Sequence, residues 1–280
     1  MQISAVISVD QLTRSGADWA PLAAMLERCR AWGYDAVELA VRDPARVDAR
    51  AIERALHSAG LAVAALATGT AYSADGLSFT HPDAGVRRAA RERIADHCRL
   101  AARIGGFVIL GLVRGRVLPG VTREQAAAWM DEGVLAACEE GSRLGVRLLF
   151  EPINRYETDL VHTVEEALAL LDRVRAPSLG LLVDTFHMNI EEADICESLR
   201  RAGARAHHVH AADSNRCYPG AGHVDFRAVI QTLEGMGYRG YLSAEILPRP
   251  DLETSLERAA VNLRRLLEGD EPWGRSGALG

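Results

Sequence analysis

Short apolar runs rich in β-branched residues alternate along this chain with longer stretches whose apolar positions recur every three to four residues. The first kind predicts strands at Ile3–Ser8, Ala36–Ala40, Leu61–Ala67, Phe107–Gly111, Val146–Phe150, Leu179–Val183, Ala206–Val209 and Gly240–Ile246. The second kind predicts helices at Trp19–Trp32, Ala49–Ser58, Ala84–Ile104, Arg123–Leu144, Val164–Val174, Ile195–Ala202, Arg227–Met236 and Leu252–Leu267. Gly33, Gly60, Gly145 and Gly237 each stand between a helix and the next strand, where a left-handed residue closes the last turn. Strands that alternate with helices pair in parallel, because each helix returns the chain to the starting edge. Eight such units predict an α/β fold, a single (β/α)8 TIM barrel over residues 1–268, with a flexible C-terminal tail at residues 269–280. A doubly wound open sheet is the competitor, but no GxGxxG follows the first strand.

Composition narrows the chemistry. The 280 residues are 48% hydrophobic and 25% charged, as in ordinary globular proteins. Acidic residues outnumber basic ones by 38 to 32, so nothing in the overall charge seeks nucleic acid or anionic lipid. Every basic residue is arginine; the absence of lysine excludes Schiff-base catalysis and phosphate-loop lysine chemistry. The cysteines at 29, 98, 138, 196 and 217 fit neither a CxxC pair nor a disulfide framework. With no signal peptide and no apolar run near the ~20 residues of a membrane span, a cytoplasmic protein is expected.

Four metal-competent side chains stand at or just after the ends of four successive strands: Glu151, Asp184, His210 and Glu245. A barrel gathers such positions at one mouth. Singly, each has an ordinary explanation: Asp184 as a helix cap, His210 as a hydrogen-bonded core histidine, a glutamate as an ion-pair partner. Four at equivalent positions are harder to explain that way. Three carboxylates beside one imidazole repel unless a divalent cation joins them. The donor set favours manganese, with magnesium or cobalt as the next choices, over structural zinc.

The blocks Glu151-Pro-Ile-Asn-Arg-Tyr-Glu157, Val183-Asp-Thr-Phe-His-Met-Asn189 and His210-Ala-Ala-Asp-Ser-Asn-Arg216 resemble the ketose 3-epimerase branch of the xylose isomerase-like barrels. Thr68–Gly76, Thr80-His-Pro82 and Gly111–Arg116 look closer still to the 5-keto-L-gluconate epimerase subgroup. The resemblance implies one metal on Glu151, Asp184, His210 and Glu245, and substrate contacts from Glu157, His187 and Arg216. It also implies a homodimer or homotetramer. The residue types suit inversion at carbon 3 of a ketose: a proton beside a carbonyl is removed by one of Glu151 and Glu245 and returned to the opposite face by the other.

Substrate identity rests on fewer residues. Arg114 and Arg116 after the fourth strand, and Arg42 after the second, are candidates for holding the carboxylate of a keto sugar acid, with 5-keto-L-gluconate as the specific expectation. Glu38 is expected to point to the mouth and pair with an arginine or bind a hydroxyl. Glu157 has Arg155 as an alternative partner. Two other activities belong to similar barrels. Aldose–ketose isomerisation, as of hydroxypyruvate, uses related proton chemistry. Cleavage of DNA at abasic sites needs further histidines after the early strands, which this chain lacks.

Overall fold

In the computed structural model, residues 1–13 and 18–270 are described. Eight strands run β1 (Gln2–Ser8), β2 (Ala36–Ala40), β3 (Ala62–Ala67), β4 (Phe107–Leu110), β5 (Leu148–Phe150), β6 (Leu179–Asp184), β7 (Ala206–His210) and β8 (Tyr241–Ala244). They pair in sequence order, all parallel, and β8 closes on β1. The (β/α)8 barrel expected from the alternation is the fold. The helices are α1 (Val9–Thr13), α2 (Ala20–Ala31), α3 (Ala49–Ala59), α4 (Gly69–Ser73), α5 (Ala84–Ile104), α6 (Arg123–Arg143), α7 (Val164–Val174), α8 (Thr185–Glu191), α9 (Ile195–Ala202), α10 (Phe226–Gly235) and α11 (Leu252–Leu267). The tail expected from Gly269 lies, from residue 271 onward, outside the described residues.

Local chemistry explains the helix limits. In α3 the buried positions Ala51, Ile52, Ala55, Leu56 and Ala59 form one stripe. Asp48 caps its start by accepting from the Arg50 and Ala51 amides, and Gly60 ends it at φ 63°. Thr163 and Glu166 form a reciprocal capping box on α7. Gly33, Gly145 and Gly237 take positive φ where expected.

The two faces of each strand face different cores. Outward residues such as Ile3, Val37, Leu39, Leu148, Leu181 and Val209 pack under the helices in the main apolar cluster. Inward residues fill the lumen, and that filling is lopsided. On β3–β6 it is apolar: Ala65, Ile109, Leu149 and Leu182. On β1, β2, β7 and β8 it is polar: Ser4, Glu38, His208 and Ser243, all fully buried. The side-chain period of two then predicts what sits one step higher on β5–β8. Two residues beyond Leu149, Leu182, His208 and Ser243 come Glu151, Asp184, His210 and Glu245.

Candidate metal centre

Those four side chains meet at the barrel mouth. One ligand atom from each of Glu151, Asp184, His210 and Glu245 lies within 4.8 Å of all the others. His210 Nδ1 is 3.6 Å from Glu151 Oε1, 3.8 Å from Asp184 Oδ2 and 3.7 Å from Glu245 Oε2. Strand register makes this possible, since Asp184 pairs with His210 across β6 and β7. Gly111 leaves room for it: a Cβ there would sit 2.9 Å from Glu151 Oε2.

Two atoms in the cluster, Asp184 Oδ2 and His210 Nδ1, are buried without a hydrogen-bond partner. The other oxygen of Asp184 does cap α8, accepting from the Phe186 amide at 2.8 Å, so the cap and the cluster share one carboxylate. A buried unpaired polar atom costs about 1–3 kcal/mol. A divalent cation would satisfy both atoms, and hard oxygen donors with one imidazole suit it. A second group, Glu38, His208 and His210, also has ligand-like spacing. There the contacts are hydrogen bonds among the three side chains themselves, so the upper group fits an ion better.

The electrostatics record the crowding. Burial, reinforced by the Glu245 and Glu151 charges, pushes Asp184 up to about 8. Burial also raises Glu151, with Glu245 adding to it. Burial alone would raise Glu245, but His210 and Arg216 outweigh it and hold it low. Burial disfavours the His210 imidazolium, yet Glu38 and Glu245 overcome that and hold its pKa well above the usual value.

Around the cluster stand further polar side chains in a connected hydrogen-bond network. Arg216 donates from Nη1 to Glu157 Oε1 and from Nη2 to Glu245 Oε2, both at 2.9 Å, and its guanidinium lies over Phe186. His187 Nε2 is 3.7 Å from both Glu151 Oε1 and Asp184 Oδ2. Asn154 joins these groups: its Nδ2 donates to Glu157 Oε1 at 3.0 Å and to His187 Nδ1 at 2.7 Å. The Tyr156 amide donates to Asn154 Oδ1, which fixes the side chain's orientation. His187 Nδ1 is therefore an acceptor, and its proton sits on Nε2, facing the cluster. Burial, then Arg216, pulls the His187 pKa down to about 3, so the ring is a neutral donor.

The same cleft is lined on its far side by Thr68, Ile109, Leu112 and Ile153. A larger groove of about 500 Å³ opens at the opposite end of the barrel. There Arg205 pairs with Asp172, Arg147 donates to His207, and Arg175 Nε donates to the Asp172 carbonyl.

Residues 26–266 match the family model of the xylose isomerase-like TIM barrel. The chain belongs to this family. The L-ribulose 3-epimerase of Mesorhizobium japonicum is 30% identical over 246 residues, covering 86% of this chain and 80% of that one. The ketose 3-epimerase of Arthrobacter globiformis is 29% identical over 251 residues, covering 89% and 86%. The structure of a D-allulose 3-epimerase from Methylomonas sp. in complex with D-allulose superposes with a TM-score of 0.75 at 26% identity, covering 98% and 92%.

Within this xylose isomerase-like barrel, Glu157, His187 and Arg216 line the cleft with Glu151, His210 and Glu245 of the cluster. Glu157 pairs with Arg216, while Arg155 pairs with Glu191. Arg114 and Arg116 do not reach the cleft. Arg114 is fully buried and folds back under its loop, lying over Phe150. It donates to the carbonyls of Gly111, Leu160 and Val161. Arg116 pairs with Asp159 at the surface, and Arg42 with Asp75. Glu38 points into the lumen below the mouth, toward His208 and His210 rather than an arginine. Asn154 and His208 are the residues that sequence reasoning missed. Asn154 lies inside a quoted block but carries no titratable group. His208 is inward by the period of two from His210.

Proposed function

We propose that this chain is a divalent-metal-dependent sugar epimerase that inverts carbon 3 of a ketose. The observation that carries the reading is the buried four-donor cluster with Asp184 Oδ2 and His210 Nδ1 left without partners. Relatives named L-ribulose 3-epimerase and ketose 3-epimerase support the reaction class. Glu151, Asp184, His210 and Glu245 would hold one ion, manganese by preference with magnesium or cobalt as substitutes. When bound, the ion polarises the ketose carbonyl as a Lewis acid.

The chain's own groups do the rest. The proton on carbon 3 is acidified by the neighbouring C2 carbonyl. Inversion needs a carboxylate on each face, and Glu151 and Glu245 come from strands three places apart around the ring. One takes the proton from carbon 3; the other delivers a proton to the opposite face. Negative charge then gathers on O2, where the fixed charge of Arg216 and the Nε2–H of His187 stabilise it. Asn154 holds His187 in the donor tautomer, and Glu157 anchors Arg216.

The charge of the cleft supports an uncharged ketose over a keto sugar acid. Among the described residues that line it, Arg216 is the only arginine, and both its terminal nitrogens are engaged by Glu157 and Glu245. A substrate carboxylate would add a fifth acidic group to Glu151, Glu157, Asp184 and Glu245, without a partner of its own.

The test is turnover of a panel of ketoses and 5-keto sugar acids in deuterium oxide, with chelated protein reloaded with Mn2+. The expected result is a C3 epimer carrying deuterium at carbon 3. Deuterium at carbon 1 or 2 with aldose formation would replace this reading with aldose–ketose isomerisation. Faster turnover of the acids would reverse the substrate preference.

A further inference from the structure

Below the proposed metal centre lies a buried polar assembly that the reaction does not use. Glu38 Oε2 is 2.9 Å from His208 Nε2, 3.0 Å from His210 Nε2 and 3.3 Å from the Ser243 hydroxyl, which donates to it. Ser243 in turn meets Ser4 across the closing strands at 3.2 Å. All five residues are at most 1% exposed. Neither strand pairing nor helix packing asks for a carboxylate there, since the opposite side of the lumen is filled by Ala65, Ile109, Leu149 and Leu182.

The geometry dictates where protons go. An ionised carboxylate only accepts, so both histidines present an Nε2–H to Glu38. For His210 that leaves Nδ1, the atom without a hydrogen-bond partner, turned to Glu151, Asp184 and Glu245. A ligating histidine is commonly oriented in this way by a carboxylate on its far nitrogen, which also strengthens it as a donor.

We infer that Glu38 is a positioning residue for the metal centre: from inside the barrel it fixes the His210 ring with its proton on Nε2 and Nδ1 directed at the ion, and His208 is the second anchor that keeps the carboxylate from swinging free. This rests on the reading of the upper cluster as a divalent-cation site. Glu38 does not touch the ion or the substrate.

Titration of the chelated full chain with Mn2+ alone, followed by calorimetry, separates the two ideas. Wild type should bind one equivalent; failure to do so would overturn the metal reading itself. Both rings meet the same oxygen, Oε2, and His210 Nε2 also lies 3.2 Å from Oε1, so Glu38→Gln removes the negative charge and sets an NH2 donor against the His210 Nε2–H, weakening the hold on that ring. The variant's Mn2+ affinity should fall about 10–100-fold in folded protein. Wild-type binding with unchanged affinity in E38Q would overturn the role of Glu38 alone.

A second measurement needs no variant, in case E38Q does not fold. Imidazole nitrogen NMR of the wild-type chain, metal-free and loaded with Mg2+, should show His208 and His210 protonated at Nε2 in both forms. Loading should shift the Nδ1 signal of His210 and leave that of His208. A ring carrying its only proton on Nδ1 would refute the assignment.

Discussion

Glu151 and Glu245 are assigned two duties, holding the ion and moving the proton, and conservative replacement tests both. Glu151→Gln and Glu245→Gln keep size while removing the base. Each should lower turnover by at least about 10³-fold, within the range for loss of a positioned acid–base group. Near-wild-type turnover in either, with Mn2+ bound, would refute the two-base scheme. Arg114 makes the opposite prediction. Its guanidinium holds three backbone carbonyls in a buried site, so Arg114→Ala should lower the unfolding free energy by about 2–4 kcal/mol. A raised KM for acidic sugars without loss of stability in urea would instead restore it as a substrate ligand. These residues also show what sequence carries. The four cluster residues were legible because each ends an apolar run, and in a parallel barrel a strand end is a location. Arg114 follows a strand end too, but its side chain is long enough to turn back into the protein. Glu38 was placed on the right strand and at the wrong height: it stands mid-strand between outward Val37 and Leu39, so the pleat turns it into the lumen.

Among the elements, the loop after β7 holds Arg216 in place. Arg216 sits at φ 58°, a left-handed conformation that an arginine rarely adopts. Asp213, fully buried, stabilises the turn by accepting from the amides of Ser214, Gly220 and Val224. Gly222 makes space for that carboxylate, since a Cβ there would lie 2.3 Å from Asp213 Oδ1. Asp213→Ala should therefore displace Arg216 and lower kcat/KM by about 100-fold, while Mn2+ affinity changes far less. Steady-state kinetics beside a metal titration checks this; an unchanged kcat/KM would show that the loop holds itself. The helices α5, α7, α9 and α11 start and end where periodicity put them, and α6 ends one residue earlier than expected. The helices α1, α4 and α8 were not foreseen, because five to seven residues contain too few turns to show a period.

For the molecule as a whole, the cluster links stability to pH and to metal. Asp184 and His210 both have raised pKa values in the metal-free fold. A raised folded pKa stabilises the protein below the unfolded pKa, and that contribution is lost as pH rises through the folded value. The chelated protein should accordingly lose stability between pH 6 and pH 8. Mn2+ competes with the same protons, so the Tm increment it gives should be larger at pH 8, by roughly 2–4 °C for each further kcal/mol of binding. Scanning calorimetry in chelator and in excess Mn2+ measures both. A chelated Tm that climbs from pH 6 to pH 8, or an equal increment at the two pH values, would contradict the placement of these charges.

The lopsided lumen limits how this barrel can be re-engineered. On the half of the barrel formed by β3–β6 the inner layer is ordinary hydrocarbon, where volume-conserving apolar exchanges are tolerated best. Across the axis, the layer beneath His210 and Glu245 is hydrogen-bonded to His210 through Glu38, and replacing its acid, imidazole and hydroxyls with leucines would remove that contact. Efforts to toughen the enzyme and efforts to retune its proposed ion site therefore meet at Leu149 and Leu182, the two apolar lumen residues one step beneath Glu151 and Asp184.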